Sequence, residues 1–426
     1  MTMKTTAIYA AILMALGGTA FAQTASIDQF GAGNSATVTQ TGNSSATSAA
    51  ISQGTAQDPD GDGGSSNNNA ATITQTGVVG DTATISQPDE AVGSNATIQQ
   101  NGADNGSTAS VMQNETSGSS ASITQTSNSA QGSQATTASV DQESDVGSTA
   151  TINQQANQGV TATIDQSGMN QQGSITQSNV SLDTALVQQN DVGSNASISQ
   201  TAGNNGSSAS INQSYGAMNS ATITQTSGST DQASITQTGA LNTTASIVQA
   251  NVFNSQATVS QTGSSNTATV NQNDEGGAGE GANLSASVTQ AGANNTANVA
   301  QAEFGNSSTV SQTGTGNTAN TAQEGTSDTL VVSQDGINGQ ATINQASPND
   351  TDLSNGNSAS ITQSAGANLN VAEIDQYGAA NVATISQAGG DGMSANTALI
   401  QQFANGDHAS ITQAGGGGNS ATIVQR

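Results

Sequence analysis

The sequence predicts an all-β fold: a flattened β-solenoid of about 16 stacked two-strand coils, with two facing parallel sheets in a cross-β-like arrangement. Three observations predict it. The pattern Ala-x-(Ile/Val)-x-Gln occurs 32 times, and 26 of the 31 intervals between its closing glutamines are 11, 12 or 13 residues long. The links between copies are rich in Gly, Asn, Ser and Asp, which are turn residues. A short period of this kind is typical of stacked supersecondary units.

Each copy of the motif is predicted to be one strand. Its Ala, Ile/Val and Gln stand at positions i, i+2 and i+4, so in a strand they share one face. The first position is Ala in 29 of 32 copies, and the middle one is Ile or Val in 31 of 32. An amphipathic helix would need apolar residues at i+3 and i+4, which the motif lacks. Two strands and two links then make a coil of about 24 residues.

The recurring glutamine indicates a ladder of amides inside the stack. Burial of an amide without a hydrogen-bond partner costs roughly several kcal/mol of folding free energy. Stacked amides avoid this cost because they satisfy one another's donors and acceptors. The inward residues that we expect in this structural ladder are Gln40, Gln75, Gln125, Gln225, Gln261, Gln272, Gln301, Gln312, Gln387, Asn34, Asn266, Asn295 and Asn381.

The composition alone would suggest disorder. Only 32% of the residues are apolar and 2% aromatic, which is too few for an ordinary globular core. The periodicity overrides that reading and favours one repetitive domain. With no cysteine in the chain, the predicted fold has neither disulfides nor thiolate metal ligands.

The first 22 residues resemble a secretory signal peptide. Lys4 precedes an apolar run over 7–18, and Ala20-Phe21-Ala22 provides a cleavage site before Gln23. The apolar run is too short to span a bilayer. We therefore expect residues 1–22 to be a leader and 23–426 to form a single repeat solenoid.

Five links are longer than the rest and are expected to bulge as loops, near 54–70, 126–137, 273–285, 346–358 and 388–397. In the first of them, Asp58, Asp60 and Asp62 match the first half of a calcium-binding loop. The twelfth position of that loop is Asn69 instead of a bidentate glutamate. These residues are thus either a weak Ca²⁺ site or an acidic solvated loop, and no other cofactor is expected.

The charge of the chain restricts its partners. It has 29 acidic residues against Lys4 and Arg426, a formal net charge of −27. Loss of the leader would leave one positive and 29 negative residues, a charge of −28. This argues against a nucleic acid as partner and disfavours anionic lipid, so no membrane insertion is expected.

The residue inventory does not favour an enzyme. His408 is the only histidine, and with no cysteine and no lysine after the leader a nucleophilic or zinc site cannot be assembled. Glu373 and Asp375 form an acid pair that could in principle perform glycosidase chemistry. Nothing predicts a cleft around them, so a solvated pair that opposes aggregation is the alternative.

The two ends of the repeat array suggest self-assembly. The first motif ends at Gln29 and the last at Gln425, which leaves no room for capping segments after the leader. Soluble solenoids normally carry such caps. Two bare ends with the same ladder chemistry should join head to tail, and such a non-closing contact makes a fibre.

Residues 29–40, Gln-Phe-Gly-Ala-Gly-Asn-Ser-Ala-Thr-Val-Thr-Gln, resemble the curlin repeat Gln-x-Gly-x-x-Asn-x-Ala-x-Val-x-Gln, and the form recurs at 261–272, 290–301 and 376–387. The resemblance covers nearly the whole chain after the leader. It implies a functional amyloid subunit, secreted to the cell surface of a Gram-negative-type bacterium, that polymerises into biofilm fibres. It also implies a nucleator subunit and an outer-membrane export pore as partners, besides further copies of the chain.

Two other functions stay open at this point. A monomeric β-solenoid adhesin would use the loops as its binding edge. An ice-binding protein would use a flat array of outward threonines, but only three motifs have Thr at both outward positions: Thr37/Thr39, Thr72/Thr74 and Thr222/Thr224.

Overall fold

The computed structural model describes residues 10–15, 23–43, 46–54, 66–88, 90–102, 106–126, 135–273, 282–346, 356–389 and 394–426. Within these residues the protein is all-β and contains no helix. Two parallel sheets of 16 motif strands each form a β-solenoid of about 15 turns, which confirms the predicted fold class. By their internal contacts the residues form two compact units, 1–206 with 210–214, and 207–209 with 215–426.

Successive strands alternate between the two sheets. The sheet that we call the odd sheet consists of β1 (Ala10–Ala15), β3 (Ser35–Thr41), β5 (Ala70–Thr76), β7 (Asn95–Asn101), β9 (Ser120–Thr126), β11 (Thr149–Gln155), β13 (Gln172–Ser178), β15 (Asn195–Thr201), β17 (Ser220–Thr226), β19 (Thr244–Ala250), β21 (Thr267–Asn273), β23 (Thr296–Ala302), β25 (Thr318–Glu324), β27 (Gln340–Ala346), β29 (Val371–Gln376), β31 (Thr397–Gln402) and β33 (Ser420–Gln425).

The even sheet consists of β2 (Gln23–Gln29), β4 (Thr47–Gln53), β6 (Thr82–Gln87), β8 (Thr108–Asn114), β10 (Thr137–Glu143), β12 (Thr161–Gln166), β14 (Thr184–Val192), β16 (Ser208–Ala217), β18 (Gln232–Leu241), β20 (Gln256–Ser264), β22 (Ser285–Ala293), β24 (Ser307–Thr315), β26 (Thr329–Ile337), β28 (Ser358–Asn368), β30 (Val382–Ala388) and β32 (His408–Ala414). Each of the 32 strands from β2 to β33 contains one copy of the motif.

Strands that follow each other in a sheet pair in parallel with motif on motif. Between β17 and β19, for example, Ala221 is opposite Ala245 and Ile223 is opposite Ile247. The pleat turns Ala, Ile/Val and Gln to the inside and the intervening residues outward, so burial alternates along the strand. A shift of one residue would turn every apolar side chain to solvent, so the pattern specifies the register strongly.

The core is thin and is made of the motif itself. Ile73, Ile123 and Ile223 are each completely buried, and the motif alanines beside them are at most a few per cent exposed. Alanine and a branched residue alternate along each strand, and glutamine closes the row at the arc. Unlike a globular core, this core contains no aromatic residue among its buried hydrophobic side chains in the described part of the chain.

Several strands extend beyond the motif, because pairing continues past the glutamine. In β20, β22 and β24 the glycine two residues after the glutamine pairs with the equivalent glycine of the next even strand, the last of these being Gly336 of β26. Gly292 has a φ of 111°, and a Cβ atom built there would lie 2.0 Å from the backbone oxygen of Gly314. Only glycine fits such a column, because both the conformation and the close backbone approach exclude a side chain.

Candidate functional site: the amide ladders and the end strands

The glutamines of each sheet form a continuous run of side-chain hydrogen bonds inside each unit. In β17 and β19, Gln225 Nε2 donates to Gln249 Oε1 at 2.8 Å, and Gln249 Nε2 donates to Gln272 Oε1 at 2.9 Å. The parallel register causes this, since it places one amide above the next at the spacing of paired strands. We call each such run a glutamine ladder.

The glutamines that the sequence singled out all donate to the next glutamine of their own sheet. The bonds and their N–O distances are Gln40 to Gln75, 2.7 Å; Gln75 to Gln100, 2.8 Å; Gln125 to Gln154, 2.9 Å; Gln225 to Gln249, 2.8 Å; Gln261 to Gln290, 2.8 Å; Gln272 to Gln301, 2.9 Å; Gln301 to Gln323, 2.9 Å; Gln312 to Gln334, 2.8 Å; and Gln387 to Gln413, 2.8 Å.

The second hydrogen of most ladder amides connects the two sheets. Gln154 Nε2, in the odd sheet, also donates to the backbone oxygen of Thr137, at the start of an even strand, at 3.1 Å. Gln290 Nε2, in the even sheet, reaches Thr267 O in the odd sheet at 2.9 Å. The glutamine therefore satisfies its own amide and holds the sheets together, which sequence reasoning missed because it considered only the contacts within one sheet.

The asparagines that the sequence singled out bind backbone groups instead of one another's side chains. Asn266 Nδ2 donates to Thr262 O at 2.8 Å and to Gly292 O at 3.1 Å, while its Oδ1 accepts from the backbone N–H of Asn295 at 2.9 Å. Asn295 repeats the arrangement one coil further on, accepting from the N–H of Asn317 at 3.0 Å. Each asparagine thus fastens its own arc and the next one.

The two remaining predicted asparagines act in the same way. Asn34 Nδ2 donates to Phe30 O at 2.8 Å and to Ser66 O at 2.9 Å. Asn381 Nδ2 donates to Tyr377 O at 3.0 Å, and its Oδ1 accepts from the backbone N–H of Asp407 at 2.9 Å. The amide has both a donor and an acceptor, and these arcs use both.

Several arc positions in the first unit hold buried acids, and Asp145 is one of them. Asp145 is completely buried, and its Oδ1 accepts from the backbone N–H of Gly168 at 2.7 Å. Burial raises the pKa of Asp145 to about 7, although the hydrogen bonds from Gly168 and Ser148 oppose the shift. The nearby carboxyls of Asp165 and Asp141 add a smaller upward contribution to this pKa.

Carboxyls also stack in register on the outer face of the even sheet. Asp141 of β10 is opposite Asp165 of β12. Burial, then the charge of Asp165 and that of Glu143, raise the pKa of Asp141. Repetition of the same register thus brings like charges together wherever acids occupy equivalent positions.

The acid pair Glu373 and Asp375 lies on the outer face of the odd sheet, on β29 in the second unit. It borders a shallow groove of about 470 Å³ whose lining includes Asn298, Ala300 and Asn320. Partial burial and the neighbouring Asp375 raise the pKa of Glu373. Asp375 Oδ2 accepts a hydrogen bond from Gln401 Nε2 at 3.1 Å.

The candidate metal ligands Asp58, Asp60 and Asp62 lie outside the described residues. Within the described residues, no three His, Cys, Asp or Glu side chains come together as a group that could hold a metal ion. His408 is exposed at the first position of β32. No helix capable of crossing a membrane is found in the described part of the chain.

The ladders have a direction, and it leaves different groups at their two ends. In both units Nε2 donates to the glutamine one coil further along the chain. At the start of the array, Gln29 Oε1 and Gln40 Oε1 are buried and accept no hydrogen bond from the described residues. In the last coil, Gln413 Nε2 and Gln425 Nε2 donate to backbone oxygens, to Thr397 O at 3.0 Å and to His408 O at 3.1 Å.

The end strands also have half-exposed inward faces. In β33 the inward side chains of Ala421, Ile423 and Gln425 are all only partly buried, and β2 has the same pattern. Interior strands bury these positions almost completely. Both ends of the array therefore present an apolar strip beside an incomplete amide ladder.

Neither a protein-family model nor a curated protein sequence matches this chain.

Proposed function

We propose that this protein is a secreted structural subunit that assembles head to tail into extracellular cross-β fibres. The observation that carries the proposal is the complementarity of the two ends of the glutamine ladders. At one end the amide oxygens of Gln29 and Gln40 accept no hydrogen bond from the described residues, and at the other end Gln413 Nε2 and Gln425 Nε2 donate to backbone oxygens instead of to a glutamine. Groups of this kind are ordinarily paired when buried, so a contact that pairs them is favoured.

A second copy of the chain supplies the missing partners in the correct order. The last two strands are β32 in the even sheet and β33 in the odd sheet, and the first two motif strands are β2 and β3 in the same two sheets. Docking β2 against β32 would place Gln29 Oε1 within reach of Gln413 Nε2. Docking β3 against β33 would likewise place Gln40 Oε1 within reach of Gln425 Nε2. Each joint then repeats an interior coil, and the contact never closes.

The half-buried residues at the ends supply the apolar part of the contact. Docking would cover Ile27 of one copy and Ile423 of the next, which are partly exposed in the single chain. Apolar burial at about 25 cal/mol per Å² adds to the backbone hydrogen bonds that each new strand pair makes. Growth by strand addition at a fixed template follows from these two contributions.

The charge of the chain opposes this assembly. Subunits without the leader have a formal net charge of −28 and repel one another, and acids such as Asp141 and Asp165 already stack within one chain. We therefore expect growth to be faster at lower pH or higher salt, which reduce that repulsion. As further parts of the proposal, a nucleator subunit starts the fibre, an outer-membrane pore exports the chain, and no catalysis is involved.

The test is the growth of residues 23–426 diluted from denaturant, followed by thioflavin-T fluorescence and electron microscopy. Seedable fibres with a meridional reflection near ~4.8 Å are expected. A matched pair of variants identifies the contact. Ile423→Asp places a charge on the docking strip and should stop growth, whereas Val424→Asp, on the exposed outer face of β33, should not. A soluble β-rich monomer that never seeds would overturn the proposal.

A further inference from the structure

The strand β1 imitates one copy of the motif at the start of the odd sheet. It pairs in parallel with β3, with Ala10 opposite Ala36, Ile12 opposite Val38 and Met14 opposite Gln40. The register thus aligns Ala-x-Ile-x-Met with Ala-x-Val-x-Gln. Ala10–Ala15 belongs to the apolar run of the predicted leader, so a segment expected to be removed stands in the position of a repeat.

The burial of β3 shows the effect of this neighbour. Ala36, Val38 and Gln40 are at most 2% exposed, although β3 is the first motif strand of its sheet. The corresponding residues of β2 and β33, which each pair with a single strand, are only partly buried. Of the end strands, β3 alone has a strand on both sides, β1 and β5.

The match between β1 and the motif fails at the glutamine position, where β1 has Met14. Gln40 Nε2 donates to Gln75 Oε1 at 2.7 Å, but Gln40 Oε1 accepts no hydrogen bond from the described residues. The residue type at the opposing register position, Met14, has no side-chain N–H to donate. A β33 strand from another copy would bring Gln425 to that position. The segment β1 therefore covers the sheet end and leaves the ladder unfinished.

We propose that Ala10–Ala15 acts as an internal edge cap, which occupies the place of a neighbouring subunit's β33 and blocks fibre contacts at β3 until the leader is removed. This inference rests on the proposed fibre function. A chain that retains its leader can still dock its β32 and β33 onto the open end of a fibre. It then presents its own covered β3, so it terminates growth at that end.

The first experiment measures seeded growth of residues 23–426 in the presence of a small molar fraction of the full chain, 1–426. Growth should slow by roughly ten-fold or more, the effect of about 1.4 kcal/mol on a rate, and the fibres should be shorter. Ile12→Asp in the full chain should abolish the inhibition, because Ile12 stands opposite Val38, which is buried on the inward face of β3. Leu13→Asp is the matched control: it adds the same charge opposite the outward-facing Thr39 and should leave the inhibition intact.

A second measurement does not depend on fibre growth. Hydrogen exchange of the peptide that contains Ser35–Thr41 should be slow in the monomeric full chain and in the Leu13→Asp variant. It should be faster in the Ile12→Asp variant and in residues 23–426. Equal exchange in all four proteins would overturn the cap even if fibres form. If exchange differs as expected but no protein forms fibres, the cap stands and the fibre function fails.

Discussion

The interior coils and the end coils contain the same motif in different energetic states. Ile223, in the interior, is completely buried, whereas Ile423, in the last strand, is only partly buried. Gln154 accepts a hydrogen bond from one ladder glutamine and donates one to the next. Gln425 accepts a hydrogen bond from Gln402 but donates none to another glutamine. A single copy of the motif is therefore not stable by itself, because its burial and its hydrogen bonds come from the coils beside it.

The largest expected effect separates folding from assembly. Ile223→Asp buries a charge in the interior and should cost more than about 4 kcal/mol, so that the unit containing it loses structure. Ile423→Asp should leave the chain folded, since its side chain can reach solvent, while fibre growth stops. Circular dichroism with denaturant titration measures the first effect, and seeded growth measures the second. Similar loss of structure in both variants would contradict the comparison.

The next effect concerns the ladder. Gln154→Leu removes one hydrogen bond inside the stack from each of Gln125 Nε2, Gln177 Oε1 and Thr137 O. The free energy of unfolding should fall by about 3–5 kcal/mol, because buried groups lose their hydrogen bonds.

Gln425→Leu removes the same amide at the end of the ladder and should cost about 1 kcal/mol or less in the single chain. The midpoints of urea denaturation compare the two variants. If the interior variant is as stable as the end variant, the ladder does not stabilise the stack.

A smaller effect depends on pH. The pKa of Asp145 is about 7 in the folded protein and 3.8 in a model peptide, so between these values the folded state binds more protons. The stability that this group contributes is therefore present at low pH and lost as pH rises from about 4 to 7, by about 2–4 kcal/mol. Asp145→Asn keeps the acceptor for Gly168 N–H and removes the charge. It should be more stable than the unmodified chain at pH 8 and similar at pH 4.

The control for this prediction is Glu90→Gln, which removes one charge at an exposed position. Its denaturation midpoint should follow the unmodified protein at every pH. A similar flattening of the pH profile in both variants would mean that net charge, and not the burial of Asp145, sets the dependence.

The smallest expected effect compares two residue types at the central motif position of interior strands. One motif copy has neither Ile nor Val at its central position, and the residue there is Thr321. Thr321 pairs with Val299 on one side and with Ile343 on the other. Its hydroxyl donates a long hydrogen bond, 3.3 Å, to Asn298 O. Thr321→Val should stabilise the chain by about 0.5–1 kcal/mol, and the reverse change Val299→Thr should destabilise it by about 1–2 kcal/mol. Thermal denaturation of both variants tests the pair.

The sequence was sufficient to predict the fold class because the motif positions repeat at a strand period. The inward face of Ala221, Ile223 and Gln225 follows from alternation alone. The amide contacts between the sheets did not follow, because they depend on which backbone oxygen of the opposite sheet lies beside each glutamine. Nor did the roles of Asn266 and Asp145, because the path of the arcs decides their partners. The pairing of β1 was missed because the same residues also fit a leader.

Exact superposition of equivalent residues in successive coils has a genetic consequence. Gln301 lies one coil before Gln323 in the same sheet and donates to it. Deletion of the 22 residues from Ala302 to Gln323 would join Gln301 directly to Glu324, and Gln345 would then take the position of Gln323. The reading frame, the alternation of the two sheets and the ladder would all be preserved. Unequal recombination between repeats can therefore add or remove whole coils, and each resulting chain keeps the register that the fold requires.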